Sequence, residues 1–308
     1  MPEKLAVLCS DIHLSHTPPV ARAEESDWYE AMRRPLVEIS QLAESEEIPV
    51  ICGGDVFHKW NSPPKLVNFA LEFLPDRFYS VLGQHDLPYH SEGRCKESAT
   101  WTMVLANRLS LLRNSMSIPC GREFMAVDAY WWGDNIVRMR KDISRLPFLS
   151  VIHAYCWMAN KRDVSVASKS NSMPVWRRRF EGSSVVLFGD NHKGFMSETS
   201  KPVIFNAGTL MRRRIDEKNY APMVGILWSN GKVEPHYLDI SLDRFSFGDV
   251  KEEAESALIG MEGFMDDLRE LGEKALDFRK TIEKVLRSEG VSKGARTVIL
   301  DVMEKIDE

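Results

Sequence analysis

Short apolar runs alternate with longer stretches of helical periodicity along the first third of the chain. Leu5 to Cys9 is apolar throughout, and the polar loop after it carries Pro18 and Pro19. From Trp28 to Ser45, the residues Trp28, Met32, Leu36, Ile39 and Leu42 or Ala43 recur at steps of three and four, which gathers them on one helical face. Pro49 opens a second strand, Val50 to Cys52. Pro63 and Pro64 open a helix reaching about Leu74, because proline is tolerated in a first turn. Phe78 to Leu82 reads as a third buried strand. The order β-α-β-α-β predicts a mostly parallel, layered α/β sheet.

The period shifts further along. Ser98 to Leu112 predicts one more helix, and shorter strands follow at Phe124 to Trp132, Leu149 to Ala154, Ser184 to Phe188, Val203 to Phe205 and Val224 to Trp228. Asn230-Gly231 predicts a hairpin turn with a return strand through Tyr237. Successive strands without helices between them predict a second sheet packed on the first. The polar, serine-rich interval from Asn160 to Asn171 predicts a loop beside any functional site. From Val250 to Val285 a heptad stripe runs for about five heptads, interrupted by Gly260, Gly263 and Gly272 at about 1 kcal/mol each relative to alanine. A last helix is predicted near Ala295 to Ile306. These patterns divide the chain into residues 1–240 and a C-terminal helical arm, 241–308.

Composition narrows the classes. With 308 residues, 44% of them hydrophobic, the chain can bury a full core. A formal charge of -5 gives no global basic signature, so nucleic-acid contacts have to come from local patches. The five cysteines form no CxxC pair and no secretory apolar region precedes them, which points to reduced thiols and a cytoplasmic location. No apolar run approaches the roughly 20 residues of a membrane span.

The chemistry collects where strands end, the place where α/β sheets hold ligands and catalytic groups. Asp11 and His13 follow the first strand, Gly53-Gly54-Asp55 the second, and Gly83-Gln84-His85-Asp86 the third. His153 follows Leu149 to Ile152, and Asp190 and His192 follow Val185 to Phe188. Two residues apart in extended backbone, Asp11 and His13 point the same way. Singly, each group has a structural reading: a capping Asp, a Gly-Asp turn, a satisfied core histidine. Five strand ends delivering Asp, His and amide groups to one edge predict a metal site.

As a series, these residues resemble the five-motif signature of calcineurin-like metallophosphoesterases, DxH, GDxx, GNH(D/E), H and GHxH, over roughly residues 4–240. The resemblance implies a four-layer α/β fold, two packed mixed β-sheets flanked by helices, around a dinuclear centre. It assigns Asp11, His13 and His192 to the first metal, Asp55 to a bridge, and Gln84, His153 and Asp190 to the second metal. His85 becomes the acid that protonates the leaving oxygen or stabilises the transition state, and Asp86 the group that orients it. Two divalent ions about 3.5–4 Å apart can clamp a phosphoryl group and activate water. Oxygen and imidazole donors without thiolate favour manganese, with magnesium as the alternative. Two positions depart from the pattern: Gln84 stands where the family has Asn, and Asp190 where it has the first His of GHxH. Both fall on the second metal.

A narrower resemblance is to the SbcD-type DNA nuclease subunits of double-strand-break repair, including small phage-encoded versions. It is carried by Asn206-Ala207-Gly208-Thr209-Leu210-Met211-Arg212, similar to their N-x-G-S-x-x-R segment, and by Asp86-Leu87-Pro88. It implies a manganese-dependent DNA exonuclease/endonuclease in repair, recombination or phage DNA processing. Its arm would dock on an SMC-like ATPase, a homodimer is compatible, and a phage-encoded version would work in the host cytoplasm. On this reading the triplets Arg177, Arg178, Arg179 and Arg212, Arg213, Arg214 are candidates to neutralise DNA phosphates. His58, Tyr89 and His90 are candidates to line the cleft. The competing reading of the triplets is a solvated face paired with Glu181, Asp216 and Glu217. Two rival functions stand beside the nuclease: a metallophosphoesterase for a phosphomonoester or small phosphodiester, and a degenerate, non-enzymatic scaffold.

Overall fold

Strands buried on both faces organise the molecule, as near-continuous apolar runs require. In the computed structural model, which describes residues 2–121, 123–136, 146–158 and 169–246, they form the centres of two six-stranded mixed sheets whose edge strands are more exposed. The first runs in the order β12 (Val233–Tyr237), β11 (Met223–Trp228), β1 (Lys4–Cys9), β2 (Val50–Cys52), β3 (Phe78–Ser80), β4 (Ser110–Leu111). The second runs β5 (Asn114–Cys120), β6 (Glu123–Tyr130), β7 (Leu149–His153), β8 (Val185–Gly189), β10 (Val203–Asn206), β9 (Phe195–Ser197). Within each sheet the strands that carry the predicted ligands are parallel: β1 to β2 to β3, and β7 to β8. Their carboxyl ends therefore lie along one edge.

Alternation along the strands builds the layers. Val7 and Cys9 of β1 pack against α1 (Trp28–Glu44), α2 (Pro64–Phe73) and α3 (Ala99–Leu105). Ala6 and Leu8 face the opposite way, into a core shared with Val127, Val151 and Leu187 of the second sheet. In β8, Val185 and Leu187 join that inter-sheet core, whereas Val186 and Phe188 meet Trp176 and Phe180, the latter just past α4 (Met173–Arg179). The result is helix, sheet, sheet, helix, as expected. The predicted face of α1 is buried at Trp28, Met32, Leu36, Ile39 and Ala43, and Asp27 caps it by accepting from the Tyr29 and Glu30 amides at 2.9 and 3.1 Å.

Four segments differ from the pattern reading. The helix expected over Ser98 to Leu112 ends at Leu105, because Asn107 turns left-handed (φ 56°), a conformation asparagine adopts at little cost. The residues beyond pair instead as β4, parallel to β3. Strand β5 is missed because Asn114 to Ser117 is exposed and polar except at Met116; it is an edge strand closed onto β6 through Gly121. Helix α4 and strand β9 are too short for a periodic signal. The chain divides into two units, Met1–Phe247 and Gly248–Glu308. The heptad arm and the serine-rich loop at 160–168 lie outside the described residues. No helix among the described residues is long and apolar enough to cross a membrane.

Residues 243–246 are tied into the first unit by an ionic cluster. Asp243 accepts from Arg212 Nη2 at 2.8 Å and Arg34 Nη2 at 3.0 Å, and pairs with the buried Arg22 at 2.9 Å. Arg22 also pairs with Glu25, and the guanidinium groups of Arg22 and Arg212 lie over the Phe245 ring at 5.1 and 4.9 Å. Removing one partner from such a cluster leaves buried charge uncompensated. Asp243→Ala is therefore expected to cost about 3 kcal/mol or more in urea unfolding. Asp216→Ala, whose pair with Arg214 is exposed, is expected to stay within about 1 kcal/mol of the parent.

Candidate metal centre at the strand ends

The loops after β1 and β2 run side by side, joined by backbone hydrogen bonds from Asp11 to Gly54 (3.0 Å), His13 to Asp55 (3.0 Å) and Leu14 to Val56 (2.9 Å). Asp11, His13 and Asp55 have φ of 49°, 50° and 54°, all in the left-handed region. The extended-strand argument for Asp11 and His13 is thus corrected: two left-handed kinks, not the pleat, aim their side chains. Such residues cost about 1 kcal/mol or more each and persist only where the surroundings hold them.

Asp86 supplies much of that hold. Its buried Oδ2 accepts from the amides of Asp55 (2.9 Å) and Gly83 (3.1 Å), and its Oδ1 from Thr100 Oγ1 (2.7 Å) and the Phe57 amide (3.3 Å). None of these bonds involves the His85 ring, so the expected role of Asp86 in orienting His85 is replaced by a structural one. The ring of His85 is oriented by its Nδ1, which donates to the His58 carbonyl at 2.9 Å. Its backbone amide donates to Asp55 Oδ1 at 3.0 Å, leaving Asp55 Oδ2 buried without a hydrogen-bond partner. Gly83 has to be glycine here, because a Cβ would overlap Asp55 Oδ1.

Donor atoms converge around Asp55 Oδ2. His153 Nε2 lies 3.3 Å from it and His13 Nε2 3.7 Å; His13 Nε2 is also 3.8 Å from Asp11 Oδ1 and 3.0 Å from His192 Nε2. Asp11, His13 and His192 form one set of mutually close ligand atoms, and Asp11, Asp55 and His153 another. Asp11 is shared by both sets, which the sequence reading did not anticipate. His153 Nδ1 donates to the Gly53 carbonyl at 2.6 Å, so a neutral ring turns its Nε2 lone pair inward, the arrangement a ligating histidine needs. His153 Nε2, Asp55 Oδ2 and Gln84 Oε1 are all buried and unpartnered. With the His153 ring neutral, its Nε2 and Asp55 Oδ2 face each other as acceptors, which is costly unless a proton on His153 or a metal cation joins them, and the donor set fits hard divalent ions.

The charge states differ across the cluster. Burial, reinforced by neighbouring histidines, pushes His13 well below its ordinary value, and burial lowers His192 to about 4 and His58 to about 3. All three are neutral near pH 7. Burial would also lower His153, but the Asp55 and Asp11 carboxylates outweigh it and push that ring up to about 10. Burial, with Asp55 nearby, pushes Asp11 up to about 7.

The remaining candidates separate. His58 joins the cluster, its ring stacked on His85 at 5.1 Å and edge-on to His13 at 5.4 Å. Arg213 is anchored through Nη1 to the His13 carbonyl (3.2 Å) and Ser15 Oγ (2.9 Å). Among the described residues, no carboxylate lies within ion-pair distance of its guanidinium, and burial lowers it only to about 10, so it stays charged. Arg212, expected to meet DNA, is instead buried in the Asp243 cluster. Arg177 directs its guanidinium to Ser197 and Ser200, and Arg178 lines a surface cavity with Ile136, Val175 and Arg179. His90 is exposed with its ring 5.3 Å from Trp132, and Tyr89 packs beside Trp60 and Arg94. Gln84 and Asp190 are hydrogen-bonded to each other, and Asp190 belongs to none of the converging ligand sets.

Several functional groups carried no sequence signal. The carbonyls of Gly53 and His58 orient His153 and His85, and residue identity says nothing about a carbonyl. Thr100 lies 14 residues beyond Asp86 on a different element. Thr209, in contrast, lies inside the noted Asn206–Arg212 run; its hydroxyl donates to the Asp11 carbonyl at 3.2 Å and its amide to the His192 carbonyl at 3.0 Å.

Comparison with known proteins places this geometry in context. A family profile described as calcineurin-like phosphoesterase matches residues 6–194. No curated protein matches. Among solved structures, the chain is similar to a Staphylococcus aureus protein described as a candidate 5′-nucleotidase, in complex with α-ketoglutarate, at 11% identity and TM-score 0.49, covering 85% of this chain and 58% of that one. A novel archaeal phosphodiesterase is similar at 12% identity and TM-score 0.39, covering 76% and 99%. Thermus thermophilus sulfate thiohydrolase SoxB, in complex with glycerol, is similar at 13% identity and TM-score 0.46, covering 87% and 62%.

Two outcomes follow from the geometry. Asp86→Asn leaves amide donors facing an NH2 group and is expected to lower unfolding stability by about 2–3 kcal/mol, whereas His85→Ala is expected to stay within about 1 kcal/mol; matched urea titrations compare them. Because metal uptake displaces the proton that His153 otherwise holds up to about 10, calorimetry with manganese at pH 8 in buffers of different ionisation enthalpy is expected to show about one proton released. The affinity should rise about tenfold per pH unit between pH 7.5 and 8.5; a flat profile would contradict the assignment.

Proposed function

The chain belongs to the calcineurin-like phosphoesterase family, and we propose that within it the protein is a metal-dependent DNA exonuclease/endonuclease. The observation that carries the reading is the run Asn206 to Arg213. Asn206 Nδ2 donates to the carbonyls of Asn191 and Lys193 at 2.7 and 3.0 Å, and Thr209 ties the Asp11 and His192 loops together. The run then delivers Arg213, a half-buried guanidinium with no carboxylate within ion-pair distance among the described residues, to the backbone of His13. Braced ligands with a guanidinium beside them suit a phosphodiester anion; the resemblance to SbcD-type subunits is carried by Asn206 to Arg212, whose arginine is spent on Asp243, and Arg213 follows it directly.

Two divalent ions, when bound, supply Lewis-acid polarisation of a phosphoryl group and acidify water. Asp11, His13, Asp55 and His192 would hold one; Asp55, Gln84 and His153, with Asp11 close by, would hold the other. Manganese fits the oxygen and imidazole donors. The chain's own residues do the rest. His85 keeps its Nδ1 proton on the His58 carbonyl, which leaves Nε2 as the atom for the leaving oxygen; in the doubly protonated imidazolium form the ring passes its Nε2 proton to that oxygen and becomes the neutral Nδ1–H tautomer. The His58 ring, stacked on His85, restricts that ring to one plane. Arg213 offsets charge on the substrate phosphate. An SMC-like ATPase partner docking on residues 241–308 is part of the same proposal and rests on the resemblance alone.

The test incubates the full chain with manganese and end-labelled single- and double-stranded DNA, and in parallel with para-nitrophenyl phosphate and bis-para-nitrophenyl phosphate. DNA degradation reduced about 100-fold or more in His85→Ala supports the reading. Hydrolysis of the small esters with DNA untouched would sink it. Arg213→Gln is expected to weaken DNA binding and to lower its salt-dependence slope by about one, measured by fluorescence anisotropy across a salt series.

A further inference from the structure

The two positions that depart from the family pattern touch each other. Gln84 lies beyond β3 of the first sheet and Asp190 beyond β8 of the second, and Gln84 Nε2 donates to Asp190 Oδ1 at 2.9 Å across the seam. A carboxylate can only accept, so it obliges the amide to present its NH2 group and turn its oxygen the other way. That oxygen, Gln84 Oε1, is buried and has no hydrogen-bond partner. An imidazole at position 190 would not force this choice, because either ring nitrogen can donate or accept depending on its tautomer.

Asp190 is itself gripped from behind. Its amide donates to both oxygens of Asp11, at 3.1 and 3.2 Å, and its φ of 81° is a conformation that L side chains rarely adopt. Its carboxylate stays outside the converging ligand sets. The extra methylene of glutamine, compared with asparagine, gives the amide the reach to meet this carboxylate while its oxygen remains buried and unpartnered.

We propose that Asp190 is a positioning residue, not a ligand, and that Gln84 and Asp190 form one unit in which the carboxylate locks the amide so that Gln84 Oε1 serves the second ion. The pair replaces two direct ligands with one ligand and its orienting partner, and adds a negative charge next to the ligand. This inference rests on the two-metal reading of the site. It predicts that each residue is functional only with its present partner, so a single reversion to the family residue is harmful and the double reversion is not.

Manganese calorimetry and low-temperature electron paramagnetic resonance on the full chain test it without reference to catalysis. The variants are Asp190→Asn, Asp190→His, Gln84→Asn and Gln84→Asn with Asp190→His, each checked by thermal melting. In Asp190→Asn, where the partner amide can also donate and the lock is lost, the second ion is expected to bind about 10- to 100-fold more weakly with the first unchanged. Asp190→His and Gln84→Asn should each show a similar loss, and the double variant should return to within about threefold of the parent, the non-additivity of a coupled pair. Second-ion affinity unchanged in Asp190→Asn, or losses that simply multiply in the double variant, would overturn the pairing. A parent chain that takes up fewer than two ions would overturn the two-metal reading itself.

Discussion

The Asp86 carboxylate is the constraint on which the site depends. Burying a charged group is costly unless donors replace its water, and here the donors are the Asp55, Phe57 and Gly83 amides and the Thr100 hydroxyl. Taking those amides onto one carboxylate fixes the second-motif loop against the third. With that register set, the His85 amide meets one oxygen of Asp55 and the other is left facing His153 and His13. The left-handed kinks at Asp11, His13 and Asp55 are then held by neighbours on both sides and need no intrinsic preference of their own.

Electrostatics inside this frame is arranged for cations. His13 and His192 bring two ring nitrogens to 3.0 Å, where one proton or one ion has to sit between them. Asp11 and Asp55 share a buried space in which one carboxylate is pushed up by burial, while His153 helps hold the other down. His153 draws in a proton to serve as the counter-charge. Divalent ions would remove all three conflicts together, which is why the same residues are costly singly and coherent as a set.

Much of this was legible in the sequence. Strand burial is written as apolar runs, and ligands at strand ends follow from sheet geometry, so the two sheets and the gathering of Asp11, His13, Asp55, His85, His153 and His192 could be read directly. Elements that depend on tertiary pairing could not. Strand β5 exists because β6 lies beside it, and Asn107 ends a helix that periodicity would extend. The basic triplets show the same limit at the level of side chains. Arg212 and Arg213 are neighbours in sequence, yet one is spent on Asp243 and the other reaches the histidines. Asp86 matched a catalytic pattern while its bonds are those of a scaffold, because a motif records position and not the direction a carboxylate faces.

The link from His153 Nδ1 to the Gly53 carbonyl joins a strand of the second sheet to a loop of the first. Asp11, His13, Asp55 and Gln84 belong to one sheet, and His153, Asp190 and His192 to the other. A folding chain with only one sheet formed can offer half a coordination sphere. Tight ion binding therefore has to wait for the sheets to dock, a step that closes loops of about a hundred residues or more and is slow for that reason. Bound ions would act as a clasp fastened once the sheets have docked, and their mass-action stabilisation would fall on the docked state alone.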